Sequence, residues 1–215
     1  MDAEFNAVIG TPEELRALYR APSARVQQKK VPRMDDAIRG FIAGSPFCLL
    51  ATADGKGNCD VSPRGGPPGF VRALDDRRVV VPDLSGNNLL DSLSNIVENG
   101  HAGLLFVIPG RDETLRLEGD ACLTTDPEIL ELWDDELRRP TVAIGITVRT
   151  VYIHCAKSFR RGRVWDPAAW EELRGAPDVC DIFSTQVDFD ITPAQMRDAL
   201  EESYARDLTA ERVDR

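Results

Sequence analysis

Three short segments of the chain combine residue types and spacings that suit an anionic ligand. In the first, residues 60–69, Arg64 stands between Pro63 and a pair of glycines. Prolines fix the backbone, glycines let a ligand approach it closely, and a guanidinium can donate two parallel hydrogen bonds to an anion. A Pro/Gly bend in which Arg64 forms a surface ion pair is an equally open interpretation.

The second segment, residues 82–88, passes from a predicted strand end through Gly86 into Asn87 and Asn88, where we predict that a helix opens. The free amides and positive dipole end of a helix suit a phosphate, and asparagine side chains add neutral donors. Ordinary capping of the helix by Ser85 or Asn87 is the alternative, and capping preference alone favours it.

The third segment, residues 157–165, places four cations within seven residues of an acidic chain. These bases, from Lys157 to Arg163, could bind an anionic substrate or cofactor tail while Trp165 stacks on a flat ring. The alternative is a solvated basic loop that pairs with the excess acids of the chain itself.

Metal and nucleophile motifs are not evident in the sequence. His101 and His154 are the two histidines, and neither has metal-ligand spacing around it, so we expect structural roles and no metal. The five cysteines are odd in number and form no Cys-x-x-Cys pair, which favours free thiols in a reducing compartment. A Walker loop and Gly-x-Ser-x-Gly are absent as well, so no catalytic residue is assigned.

Composition narrows the class of protein. The chain has 215 residues, of which 42% are hydrophobic and 29% charged, as in globular proteins. No apolar run approaches the roughly 18 residues of a membrane-spanning helix. The net charge of -10 argues against broad binding of nucleic acid or anionic membranes. Because the first residues are acidic, unlike a secretory signal, we expect a cytoplasmic location.

Most of the predicted elements are strands joined by tight turns. Short helices are expected near residues 12–20, 32–43, 86–98, 127–137 and 193–207. Strands are expected near residues 47–53, 59–61, 70–74, 78–82, 102–108, 114–124 and 142–153, with an irregular Pro/Gly segment after residue 61. Hairpin-connected strands with short inserted helices fit a closed or partly closed antiparallel barrel.

Taken in order, these segments resemble the pyridoxamine 5'-phosphate oxidase-like, FMN-binding split-barrel family, and most closely its bacterial branch. The resemblance covers residues 41–165. It is carried by the motifs at residues 62–70, 82–83, 86–88, 90–92, 103–106, 109–110, 115–119 and 154–157. Each motif alone is weak, but their ordered succession is specific.

The resemblance implies a mainly β fold, a six-stranded antiparallel split β-barrel with short helices, over residues 41–165. Residues 1–40 would form an N-terminal helical extension, and residues 166–215 a C-terminal extension that is partly helical and partly irregular. It also implies a homodimer that binds one FMN in each of two interfacial clefts and acts on a small-molecule substrate.

The family likeness also assigns cofactor-binding residues. One set of residues would contact the FMN phosphate, and a second set would line the ribityl chain and the ring. Two further residues match family motifs near the flavin. These residues are Arg64, Asn87, Asn88 and Ser92 for the phosphate, Ser62, Pro82 and Asp83 for the ribityl chain and ring, and Arg116 and Lys157 from the later motifs.

Three functional hypotheses remain open at this point. Asn87 and Asn88 stand where the family has basic residues, so vitamin B6 oxidation is not expected. The first hypothesis is an FMN-dependent oxidoreductase with an unidentified small substrate. The second is a non-catalytic flavin-binding or sensor dimer. The third is a haem-handling protein with His101 or His154 as the iron ligand.

Overall fold

The computed structural model describes residues 5–172, 174–187 and 191–213. Among them, seven strands form one sheet in the order β2-β1-β5-β6-β7-β4-β3, with every neighbouring pair antiparallel. The strands are β1 (Phe47–Ala53), β2 (Cys59–Gly65), β3 (Arg72–Ala73), β4 (Arg78–Pro82), β5 (His101–Val107), β6 (Thr114–Thr124) and β7 (Ala143–His154). The family likeness predicted six strands, and the seventh is the two-residue β3.

The sheet curls until its two ends meet. Strand β2 is at one end of the order and β4 is next to the other end, yet Arg64 on β2 forms an ion pair with Asp83, directly after β4. Alternate residues of the strands point inward. Most of them form one large core that includes Leu50, Leu104 and Ile146. A second, smaller cluster comprises Val80, Leu130, Trp133, Leu137 and Ala143. The predicted mainly β split barrel is therefore confirmed.

Helices surround this barrel, and none among the described residues has the length and apolar character needed to cross a membrane. They are α1 (Pro12–Ala17), α2 (Ala24–Gln28), α3 (Asp36–Ala43), α4 (Asp91–Asn99), α5 (Pro127–Leu130), α6 (Lys157–Arg161), α7 (Pro167–Glu172), α8 (Val179–Gln186) and α9 (Pro193–Ala210). A 3-10 turn, Glu131–Trp133, follows α5.

The segment before the barrel is fixed to it from Val31 onward. Val31 forms a bridge with Val151 on β7, and Met34 and Ile42 are buried in the barrel core. Helix α3 begins at Asp36, later than predicted, because the Asp35 carboxylate accepts the amide of Ile38 and caps it there. The division of the chain at residues 40 and 165 stays a prediction, and its outer parts include residues outside the described ones.

Candidate functional site

A relay of hydrogen bonds joins β2 to the first turn of α4. Asp60, Ser62 and Arg64 alternate along β2 and therefore share one face. Arg64 Nε donates to Ser62 Oγ at 3.3 Å, and Ser62 Oγ lies 2.9 Å from Ser92 Oγ. The Ser92 hydroxyl donates to the Asp60 carboxylate, so the Ser62 proton points toward Ser92. We call Asp60, Ser62, Arg64, Asp83 and Ser92 the β2–α4 cluster.

Strand β2 is longer than the sequence predicts. The segment after residue 61 was expected to be irregular, but pairing with β1 continues to Gly65. Pro63 is tolerated because β2 lies at the end of the sheet and pairs on one side only, so no neighbouring strand needs its missing amide. The expectation of an irregular segment is wrong here, and the regular strand is what directs Ser62 and Arg64 to the same side.

Arg64 is held by a carboxylate. Its Nη1 donates to Asp83 Oδ1 at 2.8 Å, and the two side chains are only 19% and 23% exposed. Across the β1–β2 pair Arg64 lies opposite Cys48. Burial raises the pKa of the Cys48 thiol to about 12, although the nearby Arg64 charge acts in the opposite direction. Within the part of the chain that the structure describes, Arg64 Nη2 has no hydrogen-bond partner.

Helix α4 begins five residues after Gly86, so the predicted helix start at Gly86–Asn88 is wrong. The Asn87 side chain accepts the amide of Leu89 at 3.0 Å, which forms a local turn that competes with helix. Asn88 and Leu90 both have positive φ, 58° and 61°, and the first helical residue is Asp91. Asn87 and Asn88 are exposed in the loop between β4 and α4. Their backbone amides therefore do not belong to the start of a helix.

The C-terminal segment reaches this same loop. Ser85 donates to Glu211 Oε1 through its amide at 3.0 Å and through its hydroxyl at 2.5 Å. The Glu211 carbonyl accepts the amide of Arg138 at 2.7 Å, which ties the end of α9 to the segment before β7. A carboxylate thus occupies two donors of the segment predicted to bind phosphate. These residues are 126 positions apart, and no local pattern in the sequence signals the contact.

Four of the predicted cofactor residues meet in the β2–α4 cluster, namely Ser62, Arg64, Asp83 and Ser92. Pro82, buried at the end of β4, directly precedes Asp83 in the chain. Asp60 is a member that the sequence argument missed. The sequence could have indicated Asp60, because it lies two residues before Ser62 on a strand, and residues at that spacing share one face.

Arg116 and Lys157 are not part of this cluster. Arg116 lies on the outer face of β6, where its Nη2 donates to Glu118 at 2.9 Å. It lines an open groove of about 450 Å³ together with residues of β1, β5 and β7. Lys157 is exposed at the start of α6. Over the described ranges, no hydrogen bond or ion pair joins either residue to the cluster.

Two arginines of the basic segment at residues 157–165 pair with acids of the chain. Arg160 Nε lies 2.8 Å from Asp112, and Arg163 pairs with both Asp166 and Glu172. The Trp165 ring stacks on Phe159 with centroids 5.7 Å apart. For these residues the structure agrees with the alternative of a self-paired basic segment.

The two histidines lie at different places on the barrel. His101 Nδ1 lies 3.3 Å from Asp120 Oδ1 on the outer face of the barrel, whereas His154 ends β7 beside Tyr152. Burial, with the charges of Lys29 and Arg116, lowers the pKa of His154. No group of three or more histidine, cysteine or carboxylate side chains with metal-site geometry occurs in the described ranges.

Comparison with known proteins shows which family the barrel belongs to. The family model of pyridoxamine 5'-phosphate oxidase matches residues 34–155, more than half of the chain. The chain belongs to this family. The matched pyridoxamine 5'-phosphate oxidase region contains the whole β2–α4 cluster and ends two residues before Lys157. A comparison with curated proteins finds no match.

Several solved structures are similar to part of this chain at low identity. HupZ of Group A Streptococcus is 20% identical over 55% of this chain and 91% of its own, with a TM-score of 0.46. A pyridoxamine 5'-phosphate oxidase-related, FMN binding protein of Nostoc punctiforme is 14% identical over 50% and 73%, with a TM-score of 0.37. An F420 reductase is 16% identical over 56% and 98%, with a TM-score of 0.39. Likeness at this level carries no conclusion about activity.

Proposed function

We propose that this chain is an FMN-binding flavoprotein that works as an oxidoreductase on a small molecule. The observation that carries the proposal is the β2–α4 cluster, which brings Arg64, Asp83 and two serines together inside the matched family region. The family membership supports flavin binding, and one protein of similar fold is described as FMN binding.

Arg64 is the group best suited to hold the FMN phosphate. A guanidinium has five N–H donors, and Arg64 uses one on Ser62 and one on Asp83. Its Nη2 remains open to an incoming oxygen within the described structure. The protons of Ser62 and Ser92 are already used in the relay, so these serines position Arg64. Their direct contact with the phosphate stays a prediction.

Asp83 suits the ribityl part of the same cofactor. A carboxylate accepts hydrogen bonds, and the ribityl chain carries hydroxyl donors. Asp60 and Asp83 together outweigh the single charge of Arg64, so the free donors of the cluster are the remaining N–H groups of Arg64. Exposed amide groups of Asn87 and Asn88 can add neutral donors. The residues present therefore fit a phosphate joined to a polyol.

The chemistry would come from the bound flavin, which supplies hydride or electron transfer. The residues of the chain bind and orient it: Arg64 at the phosphate, Asp83 and Pro82 along the ribityl chain. No acid or base is assigned to a proton transfer. Arg116 and Lys157 remain predicted flavin contacts, and in this fold they would have to act from outside the cluster.

The cofactor assignment is tested by titrating the protein with FMN, FAD and riboflavin and following flavin fluorescence. We expect FMN to bind most tightly. Riboflavin lacks the phosphate that Arg64 would bind, and FAD carries an additional adenylate. Equal affinity for FMN and riboflavin would contradict a phosphate site at Arg64.

Catalysis is tested separately. The flavin-loaded protein should be reduced by a nicotinamide donor or by a reduced deazaflavin, with bleaching of the flavin spectrum. An F420 reductase is among the proteins of similar fold, so the deazaflavin donor is included. No reduction by either donor would favour the second hypothesis, a non-catalytic flavin-binding or sensor dimer.

A homodimer belongs to the same proposal. The loop before α4, α4 itself and β2 expose large apolar side chains, Val61, Leu89, Leu90 and Val97, at 52% to 75%. These elements also carry the β2–α4 cluster, so a second copy that buried them would lie beside the flavin. Sedimentation of the flavin-loaded protein should give a dimer, and a monomer at micromolar concentration would refute this part.

The location in the cell is also a proposal. All five cysteines are free thiols, and Cys59, Cys122 and Cys155 are exposed. Exposed free thiols persist in a reducing compartment, which supports a cytoplasmic location.

A further inference from the structure

The end of helix α9 lies on the loop between β4 and α4. One carboxylate oxygen of Glu211, Oε1, accepts the Ser85 amide at 3.0 Å and the Ser85 hydroxyl at 2.5 Å. A carboxylate oxygen that accepts two hydrogen bonds in this way makes the same kind of contacts as a phosphate oxygen. The loop begins with Asp83 of the β2–α4 cluster and also carries Asn87 and Asn88, the predicted phosphate contacts.

Few contacts hold the end of α9 in this place. We call residues 193–213 the C-terminal latch. The Arg138 amide donates to the Glu211 carbonyl at 2.7 Å, and Arg212 forms an isolated bridge with Leu137. In α9, all of whose residues the structure describes, only Met196 near its start is buried. Segments with few buried side chains open locally at low cost in free energy. The end of the latch can therefore leave the loop while the barrel stays folded.

The loop that the latch holds has a strained backbone. Asn88 and Leu90 have φ values of 58° and 61°, which are unfavourable for residues with a β-carbon. Such residues persist where their surroundings fix them, and they are frequent in ligand-binding and switch segments. Leu89 and Leu90 are also exposed, so burial of their side chains does not fix the loop. The Glu211 contact is therefore an important restraint on the loop, and its release lets the loop rearrange around a ligand.

The charge of the latch opposes an anionic ligand. The β2–α4 cluster already combines two carboxylates, Asp60 and Asp83, with the single guanidinium of Arg64. Glu211 adds a third carboxylate at Ser85, directly before the predicted phosphate contacts. Like charges repel at short range. A phosphate should therefore bind this loop more tightly once the Glu211 carboxylate has left it.

We propose that the C-terminal latch is an autoinhibitory element of the flavin site. Glu211 and the flavin phosphate compete for the same loop, so the latch is closed in the free protein and open when the phosphate is bound. The inference rests on the proposed flavin binding. Because only molecules with an open latch bind the phosphate, the affinity for FMN falls in proportion to the fraction of open molecules. By the same linkage, bound FMN opens the latch.

Replacing Glu211 with alanine tests the competition. Glu211→Ala removes the carboxylate and leaves both Ser85 donors in place, so it should tighten FMN binding severalfold. Riboflavin lacks the phosphate, and its affinity should not change. Glu202→Ala is the matched control, because Glu202 is an exposed acid of α9 with no hydrogen bond or ion pair in the described structure. FMN affinity in Glu202→Ala should equal that of the wild type.

Hydrogen exchange gives a second readout, which observes the latch itself. Without flavin, the amides of Ser85 and Arg138 should exchange slowly in the wild type, and the Ser85 amide should exchange faster in Glu211→Ala. Saturating FMN should speed exchange of the Arg138 amide in the wild type, because its acceptor is the Glu211 carbonyl. Saturating riboflavin should leave that exchange rate unchanged.

The outcomes separate the latch from the flavin proposal. Equal FMN affinity in the wild type and Glu211→Ala would refute the latch and leave flavin binding standing. Equal tightening in Glu202→Ala, or equal tightening of riboflavin, would do the same, because neither effect depends on the Ser85 contact and the phosphate. An Arg138 amide that stays protected with FMN bound would refute the opening of the latch. Failure of all three proteins to bind FMN would refute the proposed function, and the latch with it.

Discussion

Replacing Arg64 with alanine should weaken FMN binding while leaving riboflavin binding nearly unchanged. The substitution removes the guanidinium whose Nη2 is open and whose Nη1 is held 2.8 Å from Asp83. Riboflavin lacks the phosphate, so it reports whatever the substitution does to the ring and ribityl contacts alone. The difference between the two ligands isolates the contribution of the phosphate.

The expected size follows from the chemistry of the lost contact. A hydrogen bond to a charged group contributes about 1.5 to 3 kcal/mol, which corresponds to a roughly tenfold to hundredfold loss of affinity. The site supports this range because the Arg64 side chain is 19% exposed and so is partly protected from solvent screening. The variant also leaves Asp83 without its partner, so some loss of folding stability is expected as well.

Arg72→Ala is the matched control for that loss of stability. Arg72 pairs with Glu136 at 2.9 Å, and the two side chains are 30% and 34% exposed, so it too loses a partly buried ion pair. It has no proposed phosphate role. Calorimetric titration should find FMN affinity reduced in Arg64→Ala only. If both variants bind FMN as the wild type does, Arg64 is a structural residue and the phosphate site lies elsewhere.

Three further predictions concern the flavin site and the free thiols. Glu211→Gln should tighten FMN binding severalfold in the titration, because it removes a negative charge from the Ser85 donors; unchanged or weaker binding would count against a phosphate site near this loop. Ser92→Ala should weaken FMN binding less than Arg64→Ala, since Ser92 acts through the relay, and a larger effect would make it a direct contact. Thiol labelling of the native protein, read by mass spectrometry, should modify the exposed cysteines and spare the buried ones; the labelled residues should be Cys59, Cys122 and Cys155.

The long strands could be predicted because burial repeats along them. Strand β6 has the predicted bounds at residues 114–124, since its inward residues are apolar and its outward residues are mostly polar. The length of strand β2 and the first residue of α4 were predicted incorrectly. Pro63 reads as a break unless the strand is known to lie at the sheet end, and the positive φ of Leu90 has no glycine to signal it.

Part of the candidate site was also accessible from the sequence, and part was not. The residue types around Arg64 suggested an anion site, the family resemblance added Ser62, Asp83 and Ser92, and the barrel brings these four together. The pairing of Arg64 with Asp83, 19 residues away, depends on the curling of the whole sheet. The contact of Glu211 with Ser85 likewise needs the complete fold, because no local pattern links those segments.

The most direct test of the central proposal is the visible absorption spectrum of the purified protein, recorded before and after incubation with FMN and removal of unbound flavin. The account predicts the bands of a bound flavin, which is released on denaturation and identified as FMN by chromatography. A protein that stays colourless after incubation with FMN, or that retains FAD in preference to FMN, would contradict it.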